Sequence, residues 1–326
     1  MRAIVITRFG GPEVLQFREV PDPPAGPEDV VVRVRAAGVN RADLLQRRGL
    51  YPAPPGVADD IPGLEFAGEV ESCGEGVRTL QAGDRVMGIL EGGGYAERIA
   101  LHERLCLRIP PALGWENAGA TPEAFLTAYD ALFRCGALSA GELVLIQAAG
   151  SGVGTAAAQL ALVAGSRVIG LSRTADKRRR LRKLGLKQVF DPGNPDVADA
   201  ILAATGGEGI DLVLDLVGAA AWPLHEAVLR ERGRLVIIGL MGGSRLEIDL
   251  LQLMSKRLTV SGSVLRSRGR DEKISLVQEF AGRIVPLITA GRVSPIVHCT
   301  MELAEAADAH RLMERNENFG KIVLRV

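Results

Sequence analysis

Six residues near the middle of the chain, Ala149-Gly150-Ser151-Gly152-Val153-Gly154, have the types and spacing of a phosphate cradle. Small side chains let the backbone turn tightly, and a helix starting there points unpaired N–H groups and partial positive charge at an anion. In the register of G-x-G-x-x-G, Ala149 takes the first glycine position and Ser151 the second. No Lys-Ser/Thr pair follows, which excludes a nucleoside-triphosphate loop. The flanks select among the remaining meanings. LVLIQA (Leu143 to Ala148) is a short apolar run that reads as a buried parallel strand. TAAAQLALVAG reads as a small-residue helix stopped at Gly165, and RVIGLS as a second strand. The chemistry predicted is the binding of a dinucleotide pyrophosphate by Ser151, Gly152, Val153 and Gly154.

The end of that second strand distinguishes the two nicotinamide cofactors. A site for NAD places an acid about twenty residues after the glycine turn, to hold the ribose hydroxyls. Here the chain has Ser172 and Arg173, with Lys177 one turn on, a set that suits a 2′-phosphate and hence NADPH. Asp176 reads as a first-turn helix acid. The run KRRRLRK, Lys177 to Lys183, reads as the solvated face of that helix, with a nucleic-acid patch or nuclear address as the other meaning.

The elements that must hold these residues follow from periodicity. Residues 1–120 and 266–326 form one predicted domain and 121–265 a second. The first is β-rich: VVVRVRAAGV alternates apolar and polar, EFAGEVESCG and DRVMGIL continue the rhythm, and PDPPAGPED and YPAPPG punctuate it. The second alternates strands with helices through LVLIQA, RVIGLS, QVF, DLVLDLVG, RLVIIGL and LTVSGSVL, which predicts a doubly wound parallel sheet. The terminal GKIVLRV is expected to return to the first domain as a strand.

Composition narrows the class. Lys plus Arg equals Asp plus Glu at 39 each, which argues against a dedicated nucleic-acid or membrane-surface binder. No apolar run is long enough to span a bilayer and MRAIVITRFG carries no export pattern, so the expectation is cytoplasmic. Cys73, Cys106, Cys135 and Cys299 lack C-x-x-C spacing and read as buried thiols. His102, His225, His298 and His310 lie outside the candidate motifs, and none is expected to act as acid or base.

NRADLLQRRGLYP, PGLEFAG, AGDRV, GGGYAE, PEAFLTA, SGVGTAA, GLMGG, LRSR and NFGKIVL run the length of the chain. In that order they resemble the zinc-independent quinone oxidoreductases of the medium-chain dehydrogenase/reductase superfamily, most of all the tumour-suppressor-inducible branch. The resemblance implies a Rossmann sheet inserted into a GroES-like β-barrel catalytic domain, a homodimer, and an active site in the interdomain cleft. It assigns Asn40, Asp43 and Thr127 to the nicotinamide side, and Val217, Gly239, Leu240 and Met241 to the ring and ribose. Leu265, Arg266, Asn316 and Phe319 would close that pocket, and Lys177 would contact the 2′-phosphate.

Zinc alcohol dehydrogenases share this scaffold, and their Cys, His and Cys ligand positions align with Asn40, Leu64 and Glu123. Leu64 has no donor atom and an amide oxygen is a poor zinc ligand, so no metal is expected. Without a Lewis acid the chemistry favours quinones or conjugated enones. Glu65 reads as a structural carboxylate. Tyr51 either packs its loop or orients a flat acceptor by its ring and hydroxyl. The function expected is NADPH-dependent quinone reduction. An enone or alkenal double-bond reductase and a non-catalytic NADPH-binding protein are the alternatives.

Overall fold

The computed structural model describes residues 1–54, 57 and 59–326 of the chain. Pro55 and Gly56 of YPAPPG therefore lie outside the described residues. The chain divides into two compact units, Met1–Leu126 with Leu265–Val326, and Thr127–Val264. It passes from the first to the second within one helix, Pro122–Tyr129, which continues as a π-helical stretch, Asp130–Cys135.

In the first unit the strands are β1 (Arg2–Ile6), β2 (Leu15–Glu19), β3 (Asp29–Val39), β4 (Glu65–Cys73), β5 (Arg85–Ile89), β6 (Arg98–His102) and β7 (Cys106–Arg108). The second unit contributes β8 (Leu143–Ile146), β9 (Arg167–Leu171), β10 (Gln188–Phe190), β11 (Ile210–Asp215), β12 (Leu229–Ile237) and β13 (Thr259–Gly262). The chain then returns to the first unit with β14 (Val297–Glu302) and β15 (Lys321–Arg325).

β3 organises the first unit. It pairs antiparallel with β4, β6 and β15. Its alternation of Val with polar residues buries Val30, Val32 and Val34 against Phe66, Val70 and Val86. Farther along, Ala37 and Val39 pack with Ile4, Leu44, Tyr95, Ile322 and Leu324. The register of β15 on β3, Ile322 opposite Val39, sets Lys321 beside Asn40 at the point where β3 ends. GKIVLRV does return as the sequence suggested.

The second unit is a six-stranded parallel sheet in the order β10-β9-β8-β11-β12-β13. This is the doubly wound order, with its switch point between β8 and β11. Leu145, Ile169, Val213 and Leu235 fill its interior. Helix Leu250–Lys256 buries none of its residues, and Leu250, Leu251 and Met254 on it are 66%, 69% and 72% exposed. The neighbouring edge strand β13 leaves Val260 40% exposed.

One expectation fails in both units. The four cysteines are free thiols, but Cys73 is exposed and Cys106, Cys135 and Cys299 are only partly covered. Cys73 ends β4, where the strand leaves the core, and Cys106 and Cys299 pack at the margins of the two clusters around β3. Small size and weak polarity permit a thiol to be buried but do not require it.

Candidate active site

In the second unit the turn after β8 is built for close approach. Ala148 adopts φ 45°, and Ser151 caps the helix Gly152–Val163 by accepting the Gly154 N–H at 3.0 Å. A Cβ on Gly154 would meet the Ala148 carbonyl oxygen at 2.6 Å and Ala149 Cα at 2.7 Å, so only glycine fits there. The first N–H groups of a helix have no partner within it. Ser151 takes that of Gly154, and those of Gly152 and Val153 have no acceptor among the described residues, an arrangement that suits an anion.

At the end of β9, the N–H of Ser172 donates to the Phe190 carbonyl. The Ser172 and Arg173 carbonyls both accept from Arg178 Nη1, at 2.9 and 2.7 Å. Arg178 also pairs with Asp191 at 2.7 Å, and Asp176 with Arg179, which occupies the nearby acids. The Arg173 side chain is exposed and has no ion-pair partner among the described residues. Helix Ala175–Lys183, carrying Lys177 in its first turn, buries only Leu181, so KRRRLRK is a solvated face. Val217 and Gly239 are partly covered, while Leu240 and Met241 are more than half exposed. Neither Leu240 nor Met241 is therefore a core residue. Thr127 is partly buried at the start of the unit.

Polar side chains of the first unit converge on the end of β3. Glu65 is fully buried; its Oε1 receives Lys321 Nζ at 2.5 Å and Asn40 Nδ2 at 3.0 Å, and its Oε2 receives the Glu123 N–H at 2.9 Å. Lys321 Nζ also donates to Asn40 Oδ1 at 2.5 Å and to the Val39 carbonyl at 2.8 Å. Gly38 makes room for this carboxylate, since a Cβ there would stand 2.1 Å from Glu65 Oε1. Glu65 is structural, as read, but it bonds side chains as well as backbone.

Asp43, one helical turn past Asn40, accepts the Asn40 N–H at 2.7 Å and the Tyr95 hydroxyl at 2.9 Å. Burial nevertheless pushes its carboxyl up to about 6. Tyr95 lies 3.3 Å from His310 Nε2, and His310 Nδ1 lies 3.4 Å from Arg47 Nη1. Arg47 can only donate, so Nδ1 accepts and Nε2 carries the proton. His310 is thus held neutral, with burial driving it down to about 3. Sequence reasoning set this histidine aside. Its link to Asp43 runs through Tyr95, 215 residues away, and no local pattern signals it.

The Arg266 guanidinium lies 5.0 Å over the Tyr51 ring. It donates to the Tyr51 carbonyl at 2.9 Å, the Glu91 carbonyl at 2.6 Å and Gln46 Oε1 at 2.9 Å. Its three nitrogens are thereby committed to holding the loop, and Leu265 beside it is buried. The Tyr51 hydroxyl has no hydrogen-bond partner among the described residues, and burial pushes it up to about 12, so it is a neutral donor. Asn316, in a left-handed turn at φ 56°, accepts from Arg41 at 2.7 Å. Phe319 is buried and its N–H donates to His298 at 3.4 Å.

A family model described as "Alcohol dehydrogenase GroES-like domain" matches residues 26–111, and one described as "Zinc-binding dehydrogenase" matches residues 152–282. The quinone oxidoreductase of Rattus norvegicus is 31% identical to this chain, over 99% of it and 97% of the relative. The structure of Escherichia coli quinone oxidoreductase complexed with NADPH is 30% identical, with TM-score 0.89 and 100% of both chains covered. A structure of a NAD-dependent alcohol dehydrogenase is 32% identical, with TM-score 0.90 and the same coverage.

The zinc in the second model's description does not suit the donors present. Both ends of the Asn40 amide are bonded, Leu64 is an apolar core residue, and a lysine ammonium stands among the carboxylates. Among the described residues no group of three or more His, Cys, Asp and Glu could hold a metal ion. Nor is any helix there long and apolar enough to cross a membrane. With a relative of that identity along nearly its whole length, and with the superfamily's two domain models on its two regions, the chain belongs to the quinone oxidoreductases of the medium-chain dehydrogenase/reductase superfamily, which are oxidoreductases.

Proposed function

We propose that the protein is an NADPH-dependent quinone reductase that works without zinc. The observation that carries this reading is the polar cluster at the end of β3, in which Lys321, Glu65 and Asn40 satisfy one another and provide no metal-binding donor set. Quinones accept hydride without a Lewis acid, so proximity and orientation supply most of what the reaction needs. When bound, the nicotinamide provides the hydride.

Ser151, Gly152, Val153 and Gly154 would hold the pyrophosphate, where a Cβ-free position and two free N–H groups support it. Ser172, Arg173 and Lys177 would hold the 2′-phosphate; the exposed Arg173, without an ion-pair partner among the described residues, and the engagement of nearby acids by arginines favour NADPH over NADH. Asn40, Asp43, Thr127, Val217, Gly239, Leu240, Met241, Leu265, Asn316 and Phe319 remain the residues proposed for the rest of the cofactor. Arg266 acts by holding Tyr51, whose ring and unpartnered hydroxyl would orient the acceptor.

The assembly is proposed to be a homodimer through β13 and helix Leu250–Lys256. An unpaired strand edge beside exposed Leu250, Leu251 and Met254 is a surface that another copy would cover. The test of function is NADPH oxidation screened over ortho-quinones, para-quinones and enones. Quinone turnover above enone turnover is expected. The reverse order would assign the chain to double-bond reduction, and tight NADPH binding with no turnover would make it a binding protein.

A further inference from the structure

We propose that Glu123 is the proton donor of the reduction, giving its carboxyl proton to the acceptor oxygen as hydride reaches the acceptor. The inference rests on the reductase reading above. Its ground is the arrangement of acids in the first unit. Asp43 is fully buried and takes the Asn40 N–H and the Tyr95 hydroxyl. Glu65 is fully buried and takes Lys321, Asn40 and the Glu123 N–H. Glu123 differs from both. Its backbone is pinned by Glu65 in the first turn of helix Pro122–Tyr129, yet its own carboxyl has no hydrogen-bond or ion-pair partner among the described residues. The residue keeps part of its surface open to solvent, unlike Asp43 and Glu65.

The charged and titratable groups whose fields act on this carboxyl come from several elements: Glu65 on β4, Lys321 on β15, Asp43 on helix Arg41–Arg47, and Arg266 and Tyr51 on loops. Burial is the largest influence and the negative charge of Glu65 the next, and together they hold Glu123 up at about 8. The carboxyl therefore carries its proton at neutral pH, and it lies within electrostatic range of Tyr51, the residue proposed to orient the acceptor.

The step balances. Bound NADPH would supply the hydride, the electron pair and hydrogen of its nicotinamide C–H bond, so that the acceptor is reduced by two electrons as the cofactor is oxidised. The Glu123 O–H bond breaks and an O–H bond forms on the acceptor oxygen. A quinone becomes a hydroquinone; an enone receives hydride at the β-carbon and becomes an enol, which tautomerises to the saturated ketone. The Glu123 carboxylate then regains a proton from water.

The experiment compares the wild-type protein with Glu123→Gln and Glu123→Asp, using a para-quinone and an enone over pH 6 to 10. Wild-type kcat/KM should be level in acid and fall as pH rises through about 8, because the proton must be present for transfer. Glu123→Gln should lose this limb and, near pH 7, about 10²-fold of the rate with the enone. The loss with the quinone should be smaller, since a hydroquinone anion is a weaker base than an enolate. Glu123→Asp should be slower but keep a falling limb. The affinity of Glu123→Gln for NADPH should match wild type. Infrared difference spectra of the unliganded proteins should show a protonated-carboxyl C=O band at neutral pH in wild type that is missing in Glu123→Gln. A working wild-type reductase whose Glu123→Gln variant keeps rate and pH profile overturns the proposal alone, as does a wild-type spectrum without that band. A wild-type protein that oxidises NADPH with no acceptor defeats both the proposal and the reading beneath it.

Discussion

Removing the Lys321 ammonium should destabilise the first unit in a way that depends on pH. The Nζ–Oε1 distance to Glu65 is 2.5 Å, and the two side chains are 5% and 0% exposed. Lys321→Met keeps the length of the side chain but strands a buried carboxylate, a change that costs about 3–5 kcal/mol. At roughly 2–3 kcal/mol per molar urea, the unfolding midpoint should fall by about 1–2 M. Trp115 belongs to the first unit and Trp222 to the second, so a Trp222→Phe background lets Trp115 fluorescence follow the first unit alone. The sign of the pH dependence follows from the stranded charge. Without its cation, the Glu65 carboxylate of the folded variant is buried with no compensating charge, whereas the unfolded chain leaves it in water. The neutral acid carries no such cost, so the variant keeps its stability in acid and loses it as pH rises and the carboxyl ionises. The deficit relative to wild type should therefore be smallest in acid and largest near neutrality. Adding Glu65→Gln to Lys321→Met should restore a substantial part of the loss, because a neutral amide tolerates burial better than an unpaired charge. A deficit that ignores pH and survives the second substitution would refute the ion-pair account and leave only lost packing.

Lys177→Ala should weaken NADPH about ten- to a hundredfold, the equivalent of one charge-assisted phosphate contact, and leave NADH unchanged in fluorescence titrations; equal losses for both cofactors would move the 2′-phosphate elsewhere. The pair Leu251→Glu and Met254→Glu, both on an exposed helix face, should convert a dimer to a folded monomer by light scattering; a dimer that persists would relocate the interface. Tyr51→Phe should cost quinone kcat/KM modestly and Tyr51→Ala far more, with circular dichroism unchanged; unaltered kinetics in the Ala variant would reduce Tyr51 to packing the Arg266 loop.

The parts of this protein that are local in sequence were legible there. LVLIQA and RVIGLS announce buried strands by apolar runs of strand length, and the strand–helix alternation announces a parallel sheet, while its strand order is seen only in the fold. The capping role of Ser151 needs only the three residues that follow it. Residues that meet across the fold were less legible. Lys321 could be read as part of a terminal strand, yet its pairing with Glu65 depends on the register of β15 against β3. Arg266 could be marked as a polar residue in a turn, but not as one whose three nitrogens each already hold a bond. Glu123 was noticed only for failing to be a cysteine. Its readiness to hold a proton arises from burial and from Glu65, and neither can be seen from the residues beside it.

The placement of Lys321 also bears on the order in which the protein acquires its structure during synthesis. The second unit is continuous in sequence, so all of its strands are made before β15. The end of β3 cannot be completed then, because Lys321 must bond the Val39 carbonyl 282 residues upstream. Until β15 is made, Glu65 lacks its cation and β3 has an open edge, the kind of surface on which nascent chains pair wrongly. Ribosomes reading one message in close succession would bring such edges near each other. A chaperone that shields β3 during this interval would raise the yield of folded protein without changing the stability of the finished molecule.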